Sequence, residues 1–159
     1  MAREELNEIL GGLVDFVSPE MTGAGVTVVR ELGADLPPIW ADEGQLRAAF
    51  LNLLRNSREA MSAGGTVVVR TVRAADGGVE ATVSDTGPGI PPERLERIFD
   101  PFFSTKSGGT GLGLAFTLQV VTEHGGTIRC QSEVGRGTSF SVCIPPAPDG
   151  AGGEEAVNT

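Results

Sequence analysis

The sequence contains few of the residues that identify several common protein classes. It has no tyrosine, one tryptophan, one histidine and two cysteines among its 159 residues. The cysteines, Cys130 and Cys143, fall on separate predicted strands, so we expect two buried, reduced thiols rather than a disulfide or a metal site. No stretch of about 18 consecutive apolar residues occurs, so no transmembrane helix is predicted. The GxxxxGK(S/T) pattern is also absent, which excludes a P-loop nucleotide-binding protein.

Basic residues are outnumbered by acidic ones. The sequence has 12 lysines and arginines against 21 aspartates and glutamates, which gives a net charge of −9. This argues against non-specific binding to nucleic acid or to an anionic membrane, because both surfaces attract positive charge. The N-terminal residues Ala2-Arg3-Glu4-Glu5 are charged and the apolar run after them is broken, which is unlike a signal peptide. We therefore expect a cytoplasmic location.

Hydrophobic periodicity predicts a set of helices and a hairpin-rich sheet. Predicted helices cover residues 4–17, 43–61, 91–98 and 111–123, and predicted strands cover residues 26–32, 66–72, 79–84, 127–132 and 138–144. Asp42 is a predicted N-cap with Gln45 at the third helical position, and Ser18-Pro19 is expected to end the first helix. The apolar positions of the last helix, which we expect to be buried, are Leu114, Leu118 and Val121. Because the helices are segregated from the sheet, we expect an α+β protein built as a two-layer α/β sandwich.

Two glycine-rich loops together indicate a nucleotide-binding pocket. Asp85 follows a predicted strand and precedes Gly87 and Gly89. Its carboxylate is an acceptor for an exocyclic amine such as that of adenine, and the glycines let a flat ring approach the backbone. The second loop, Gly108 to Gly113, precedes a helix whose N–H groups and dipole would face phosphates. Either loop alone is also typical of an ordinary surface turn.

Asn52 and Asn56 are four residues apart on the predicted helix 43–61, so their side chains share one face, off the main apolar stripe. The carbonyl oxygen of such an amide is a suitable ligand for Mg²⁺, which takes few protein ligands beside phosphates and water. The ordinary alternative is a solvent-facing amide within a helix.

Five motifs occur in a fixed order along the chain. They are Asn52-Leu53-Leu54-Arg55-Asn56, Asp85-Thr86-Gly87-Pro88-Gly89-Ile90, Ile98 to Lys106, Gly109 to Leu114, and Gly135 to Phe140. This order resembles the asparagine, first glycine, phenylalanine, second glycine and later glycine boxes of the ATP-binding catalytic domain of bacterial sensor histidine kinases. The resemblance covers residues 26–144. It implies the Bergerat, or GHKL, ATP-binding fold, in which a mixed, mostly antiparallel sheet is covered on one face by about three helices.

The resemblance also implies which residues form the site. The implied nucleotide-binding residues are Asn52, Asn56, Asp85, Gly87, Gly89, Ile90, Phe99, Lys106, Gly109, Thr110, Gly111, Leu112, Gly113, Leu114 and Thr138. The implied catalytic residues are Asn56, as the Mg²⁺ ligand, and Lys106, whose charge would reach the terminal phosphate of ATP. A solvated lysine is the alternative for Lys106. The segment 94–109 is expected to act as a lid.

Asn52 and His124 bear on the type of reaction. ATP-hydrolysing relatives of this fold, such as gyrase and the heat-shock ATPases, carry a glutamate at the position of Asn52 as a general base. An amide cannot accept a proton near neutral pH, so a kinase is favoured over an ATPase. His124 is followed by Gly-Gly-Thr, unlike a phospho-acceptor histidine, which precedes an acidic residue and then a proline. We expect His124 to interact with the last carbonyls of a helix.

The implied protein is a catalytic fragment of a sensor histidine kinase. Residues 1–18 would be the end of a preceding dimerisation helix or a linker, residues 19–146 the catalytic ATP-binding domain, and residues 147–159 a disordered tail. The domain would transfer the γ-phosphoryl group of Mg-ATP to a histidine on a dimerisation domain that this chain lacks. A cognate response regulator would be a further partner, without nucleic-acid or membrane contact. The alternatives are a free-standing serine kinase of the anti-sigma-factor type and a non-catalytic nucleotide-binding scaffold.

Overall fold

A five-stranded sheet with helices on one face makes up the fold. The computed structural model describes residues 1–101 and 113–148. Its strands are β1 (Ala2–Glu4), β2 (Val26–Leu32), β3 (Ile39–Ala41), β4 (Gly65–Arg73), β5 (Val79–Asp85), β6 (Thr127–Glu133) and β7 (Gly137–Ile144). Its helices are α1 (Leu6–Gly23), α2 (Glu43–Ala60), α3 (Pro92–Leu95) and α4 (Gly113–Glu123).

The strands of the main sheet lie in the order β2-β4-β5-β7-β6. The β2–β4 pair is parallel, and the chain between these strands contains β3 and α2. The β4–β5, β5–β7 and β6–β7 pairs are antiparallel, and β1 pairs with β3 in a separate ribbon. The predicted two-layer fold with a mixed, mostly antiparallel sheet is therefore confirmed.

Alternation along the strands places one face of the sheet in the core. In β5 every second residue is buried, and the register partner of Val83 in β7 is the fully buried Phe140. On the opposite face the hydroxyl groups of Ser84 and Ser139 lie 2.7 Å apart across the same two strands. Helices α1, α2 and α4 pack on the buried face, so the apolar side chains of the sheet are covered by a single helical layer.

Helix α1 differs from its prediction. It runs continuously through Ser18-Pro19 to Gly23, so the predicted end at Pro19 is wrong. Val17 and Met21 are fully buried on either side of the proline, and their burial offsets the backbone hydrogen bond that a proline cannot donate. Because α1 packs against β2 and α2, it lies in the core of this domain.

A polar side chain fixes the start of α1 on the sheet. The Asn7 amide donates to the carbonyl oxygen of Gly33 at 2.7 Å, and its oxygen accepts from the hydroxyl of Thr71 at 2.7 Å. The hydroxyl of Thr71 in turn accepts from the backbone N–H of Gly33 at 2.9 Å. These three bonds join α1 to the ends of β2 and β4, and Thr71 is buried.

Helix α2 begins as predicted. Asp42 is its N-cap, and the side chain accepts a hydrogen bond from the backbone N–H of Gln45 at 3.0 Å. The apolar residues on the core side of α2 are buried: Leu46, Phe50, Leu53, Leu54 and, just beyond the helix, Met61. Among the described residues no helix is long and apolar enough to cross a membrane.

The remaining helices depart from their predictions in detail. Helix α3 ends at Leu95 rather than at residue 98, although Ile98 is buried. In α4 the buried residues are Thr117, Val120 and Val121, whereas Leu118 is 37% exposed, so the predicted burial of Leu118 is wrong. The rotation of α4 about its axis brings the hydroxyl of Thr117 towards α2 and leaves Leu118 at the surface.

The residues that follow β7 are hydrogen-bonded to the segment around β3. Ala147 donates its backbone N–H to the carbonyl oxygen of Pro38 at 2.8 Å, and Pro146 forms a bridge with Ile39. Residue 147, the first residue of the predicted disordered tail, is therefore held on the ribbon that contains β3. Residues 149–159 lie outside the described residues.

Candidate functional site

Asp85, at the end of β5, is held rigidly by the backbone around it. The residue is 8% exposed, and its Oδ1 accepts hydrogen bonds from the N–H groups of Gly87 at 2.9 Å and of Thr138 at 3.2 Å. Among the residues that the structure describes, no group donates to Oδ2. The carboxylate therefore keeps one fixed acceptor for a ligand.

Glycine is needed at positions 87 and 89 of this loop for different structural reasons. A Cβ at Gly89 would lie 2.3 Å from the carbonyl oxygen of Glu133, and the φ of Gly89 is +81°, so only glycine fits there. At Gly87 a Cβ would lie 3.0 Å from Asp85 Oδ1 and 3.2 Å from Met61 Cγ. The close contact with β6 is enough to explain why residue 89 is glycine. At position 87 the missing side chain leaves space beside the carboxylate of Asp85.

A hydroxyl network lies beside Asp85 and joins β6 to β7. Ser132 Oγ donates to the carbonyl oxygen of Gly137 at 3.0 Å and accepts from the backbone N–H of Ile90 at 2.7 Å. It also lies 2.8 Å from Thr138 Oγ1. Because Ser132 uses its single proton on Gly137, Thr138 must donate to Ser132 and is left as an acceptor towards other groups.

Ser132 was not predicted from the sequence, although the structure gives it a central position. It is the register partner of Thr138 across the β6–β7 hairpin, so both side chains lie on the buried face of the sheet. The signal that could have identified it is the alternation of β6, counted from the Gly135-Arg136-Gly137 turn.

An open cavity with a volume of about 320 Å³ lies over this group of residues. Its lining residues are Asp85, Gln131, Ser132, Glu133, Arg136, Gly137, Thr138 and Ser139. The cavity is lined largely by polar groups, and Asp85, Ser132 and Thr138 are among its lining residues. Such an arrangement can recognise a ligand that carries both hydrogen-bond donors and acceptors.

Asn52 and Asn56 are both half-buried on α2, at one side of the loop that follows Asp85. The loop contacts the end of α2, since a Cβ at Gly87 would lie 3.6 Å from Cβ of Ala60, one turn beyond Asn56. A Cβ at Gly113, the first residue of α4, would lie 3.7 Å from Asn52 Oδ1. The face of α2 that carries the two amides is thus flanked by the Asp85 loop and by the start of α4.

Phe99 and Leu114, two further residues of the predicted site, pack against the core. The ring of Phe99 meets that of Phe140 edge to face, with centroids 6.3 Å apart and an interplanar angle of 79°. Leu114 is half-buried. Five further residues of the predicted site lie outside the described residues: Lys106, Gly109, Thr110, Gly111 and Leu112. Residues 102–109 of the predicted lid also lie outside them.

Both cysteines are unpaired, as predicted, but each is half-buried rather than fully buried. Burial, and after it the charge of Asp85, raises the pKa of the Cys130 thiol to about 12. Burial and the charge of Glu80 are the main causes that raise the pKa of Cys143. Because both pKa values are raised, both thiols are protonated at neutral pH.

Comparison with known proteins identifies the family. A family model described as Histidine kinase-, DNA gyrase B-, and HSP90-like ATPase matches residues 41–148. Sporulation kinase C of Bacillus subtilis (strain 168) is 37% identical over 146 residues, which cover 91% of this chain and 34% of that protein. This chain therefore spans about a third of the length of that curated relative.

Solved structures agree with this match. The nucleotide-free catalytic domain of histidine kinase ThkA has a TM-score of 0.82 at 29% identity, covering 92% of this chain and 98% of that chain. ThkA in complex with response regulator protein TrrA has a TM-score of 0.78 at 26% identity, and the match covers 93% of this chain and 42% of that chain. Full-length ShkA in complex with AMPPNP has a TM-score of 0.80 at 30% identity, and the match covers 92% of this chain and 32% of that chain.

The sequence motifs, the sheet order and these comparisons agree, and the resemblance drawn from the motifs is confirmed. The family model covers more than half of the chain, and it includes α2 with both asparagines, the Asp85 loop and the β6–β7 hairpin. This chain belongs to the family of histidine kinase-, DNA gyrase B- and HSP90-like ATPases and has the fold of a histidine kinase catalytic domain.

Proposed function

We propose that this domain binds Mg-ATP and transfers its γ-phosphoryl group to a histidine on a separate dimerisation domain. The observation that carries the proposal is the geometry of Asp85. One carboxylate oxygen is occupied by two backbone N–H groups, and the other is left to accept the 6-amino group of adenine beside an open cavity that Asp85 helps to line. Thr138, left as an acceptor by its bond to Ser132, lies beside it.

The face of α2 that carries Asn52 and Asn56 suits a magnesium nucleotide. Asn56 offers an amide oxygen, which is a hard ligand of the type that Mg²⁺ accepts when phosphates and water complete its coordination. Asn52, one turn earlier, lies against the first residue of α4. When bound, Mg²⁺ would neutralise phosphate charge. The roles of Lys106 and of residues 109–112 at the phosphates are proposed from the sequence motifs alone.

A kinase is favoured over an ATPase because Asn52 cannot act as a general base. A carboxylate at this position would accept a proton from water, whereas an amide does not near neutral pH. The domain would therefore hold ATP without activating water efficiently. Its contribution to catalysis would be to position the nucleotide against an incoming imidazole.

The partners follow from the same proposal. His124 is the only histidine in the chain, and it is buried within the domain, so the acceptor must come from another domain. We propose a helical dimerisation and phospho-acceptor domain in the longer protein, with a cognate response regulator acting on the phosphorylated product. The complex of ThkA with TrrA supports this partner class. A cytoplasmic location is part of the proposal.

Calorimetric titration tests the binding step. We expect the domain to bind ATP with an affinity that increases on addition of Mg²⁺, and to bind GTP more weakly, because the 6-oxo group of guanine offers no donor to Asp85. Equal affinities for ATP and GTP would contradict the role of Asp85.

A phosphorylation assay tests the transfer step. With radiolabelled ATP alone, the domain should neither label itself nor release phosphate faster than about one per second, the lower end of common turnover rates. With the dimerisation domain from the full-length protein added, label should appear on a histidine of that domain. Label on a serine of a partner would favour the anti-sigma-factor type of kinase, and fast phosphate release would indicate an ATPase.

A further inference from the structure

Helices α2 and α4 are joined by two buried polar contacts in addition to their apolar packing. The first involves Thr117, which is fully buried on α4. Its hydroxyl lies 3.2 Å from the carbonyl oxygen of Ala49 on α2 and 3.0 Å from the carbonyl oxygen of Gly113 in its own helix. A hydroxyl has one proton, so Thr117 shares it between the two helices.

The second contact involves His124, which is 6% exposed and follows the last residue of α4. Its Nδ1 lies 2.8 Å from the carbonyl oxygen of Val120, and its Nε2 accepts from the backbone N–H of Asp42 at 3.1 Å. A backbone N–H can only donate and a carbonyl can only accept. The ring must therefore carry its proton on Nδ1 and present a bare Nε2 to Asp42, the N-cap of α2.

The spacing of these contacts fixes an antiparallel register between the two helices. From Thr117 to His124 the chain advances seven residues, and from Ala49 to Asp42 it recedes seven. Seven residues correspond to about 10.5 Å of helix, so the two contacts are matched along the axis. A slip of one turn would break both, whereas apolar packing alone has no such directional requirement.

The same register determines where α4 begins. Gly113, four residues before Thr117, lies against Asn52, three residues after Ala49. The polar contacts at Thr117 and His124 therefore hold the first residue of α4 beside the asparagine face of α2. His124 acts at the far end of both helices, more than two turns from this junction.

We propose that Thr117 and His124 are positioning residues that keep the start of α4 in register with Asn52 and Asn56 for the phosphates of the nucleotide. This inference rests on the proposed function, which places the phosphates at that face of α2. Neither residue touches the cavity beside Asp85, so the proposal separates two parts of the ligand. Loss of the register should affect the phosphate end and leave adenine recognition on the sheet unchanged.

Two probes distinguish phosphate binding from adenine recognition. ATP depends on both the asparagine face of α2 and the cavity beside Asp85, whereas adenosine depends only on the cavity. We expect Thr117→Val to weaken ATP binding about three- to tenfold, the range of one buried hydrogen bond, and to change adenosine binding by less than about twofold. Thr122→Val, the same substitution at an exposed position of α4, is the matched control and should change neither.

A pair of variants at His124 separates its two hydrogen bonds. In His124→Gln the amide oxygen reaches the position of Nε2 and can still accept from Asp42, so ATP affinity should be retained. In His124→Asn the shorter side chain preserves only the bond within α4, so ATP affinity should fall as in Thr117→Val. Thermal unfolding of each variant confirms that it is folded at the temperature of the titration.

The outcomes differ for the inference and for the proposed function. If the wild-type domain binds ATP but Thr117→Val and His124→Asn bind it equally well, the inference is refuted and the proposed function stands. If both variants lose ATP and adenosine in equal proportion, the contacts serve only overall stability, and the inference is again refuted. Absence of ATP binding by the wild-type domain refutes the proposed function and the inference with it.

Discussion

Asp85→Asn tests adenine recognition, because the structure determines what the new side chain does. Oδ1 of Asp85 accepts the N–H groups of Gly87 and Thr138 at 2.9 and 3.2 Å. An asparagine that places its amide oxygen there keeps both bonds, so the loop should retain its conformation. The NH₂ group then replaces Oδ2, and the atom left for the ligand changes from an acceptor into a donor.

The magnitude follows from the contact that is lost. A hydrogen bond to a charged group contributes about 1.5–3 kcal/mol, which corresponds to a decrease in ATP affinity of about 10- to 150-fold. Two donors, the asparagine NH₂ and the 6-amino group of adenine, would then face each other. A 6-oxo purine presents an acceptor at this position, so inosine triphosphate should bind the variant better than ATP does.

Calorimetric titration of the wild type and the variant with ATP and with inosine triphosphate measures both effects. Glu133→Gln is the matched control, since Glu133 lines the cavity but its side chain is exposed, and ATP affinity should be retained. Asp85→Ala removes both backbone bonds and should lower the thermal midpoint, whereas Asp85→Asn should not. Equal ATP affinities for Asp85→Asn and the wild type would refute the assignment of Asp85 to adenine.

Three further outcomes are expected. Asn56→Ala should remove most of the Mg²⁺ dependence of ATP binding, because it deletes the proposed metal ligand; titrations with and without Mg²⁺ show this, and an unchanged Mg²⁺ effect would place the metal elsewhere. Ser57→Ala should raise the free energy of unfolding by about 1–2 kcal/mol in urea denaturation, because the Ser57 hydroxyl is fully buried without a partner among the described residues. A loss of stability would show that this hydroxyl is bonded. Maleimide labelling of Cys130 at neutral pH should be slow in the folded protein and faster in the urea-unfolded protein, because burial raises the pKa of this thiol and only the thiolate reacts. Rapid labelling at pH 7 would contradict the burial of this thiol.

Structural features that depend on residues close together in the sequence were predicted correctly. The Asp42 cap, the strand Val26–Leu32 and the β4–β5 hairpin all formed as predicted. In each case the determining interaction lies within a few residues: a side-chain oxygen and an N–H three residues later, an apolar alternation, or a turn rich in glycine. The end of β5 at Asp85 belongs to the same class, and with it the position of the carboxylate.

Contacts between distant segments decided the rest. Helix α1 continues through Pro19 because Val17 and Met21 are buried on either side of it, and burial of apolar surface outweighs a local helix-ending signal. Which side of α4 faces the core, with Thr117 inside and Leu118 outside, depended on its packing against α2.

The site itself was divided in the same way. The order of the motifs along the chain was enough to identify the family and to place Asp85 at the end of a strand. The local hairpin register of β6 and β7 pairs Ser132 with Thr138, and it could be counted from the turn between these strands. The approach of Asp42 to within 3.1 Å of His124, 82 positions away, depends instead on helix rotation, which the packing of the whole core selects and no local pattern encodes.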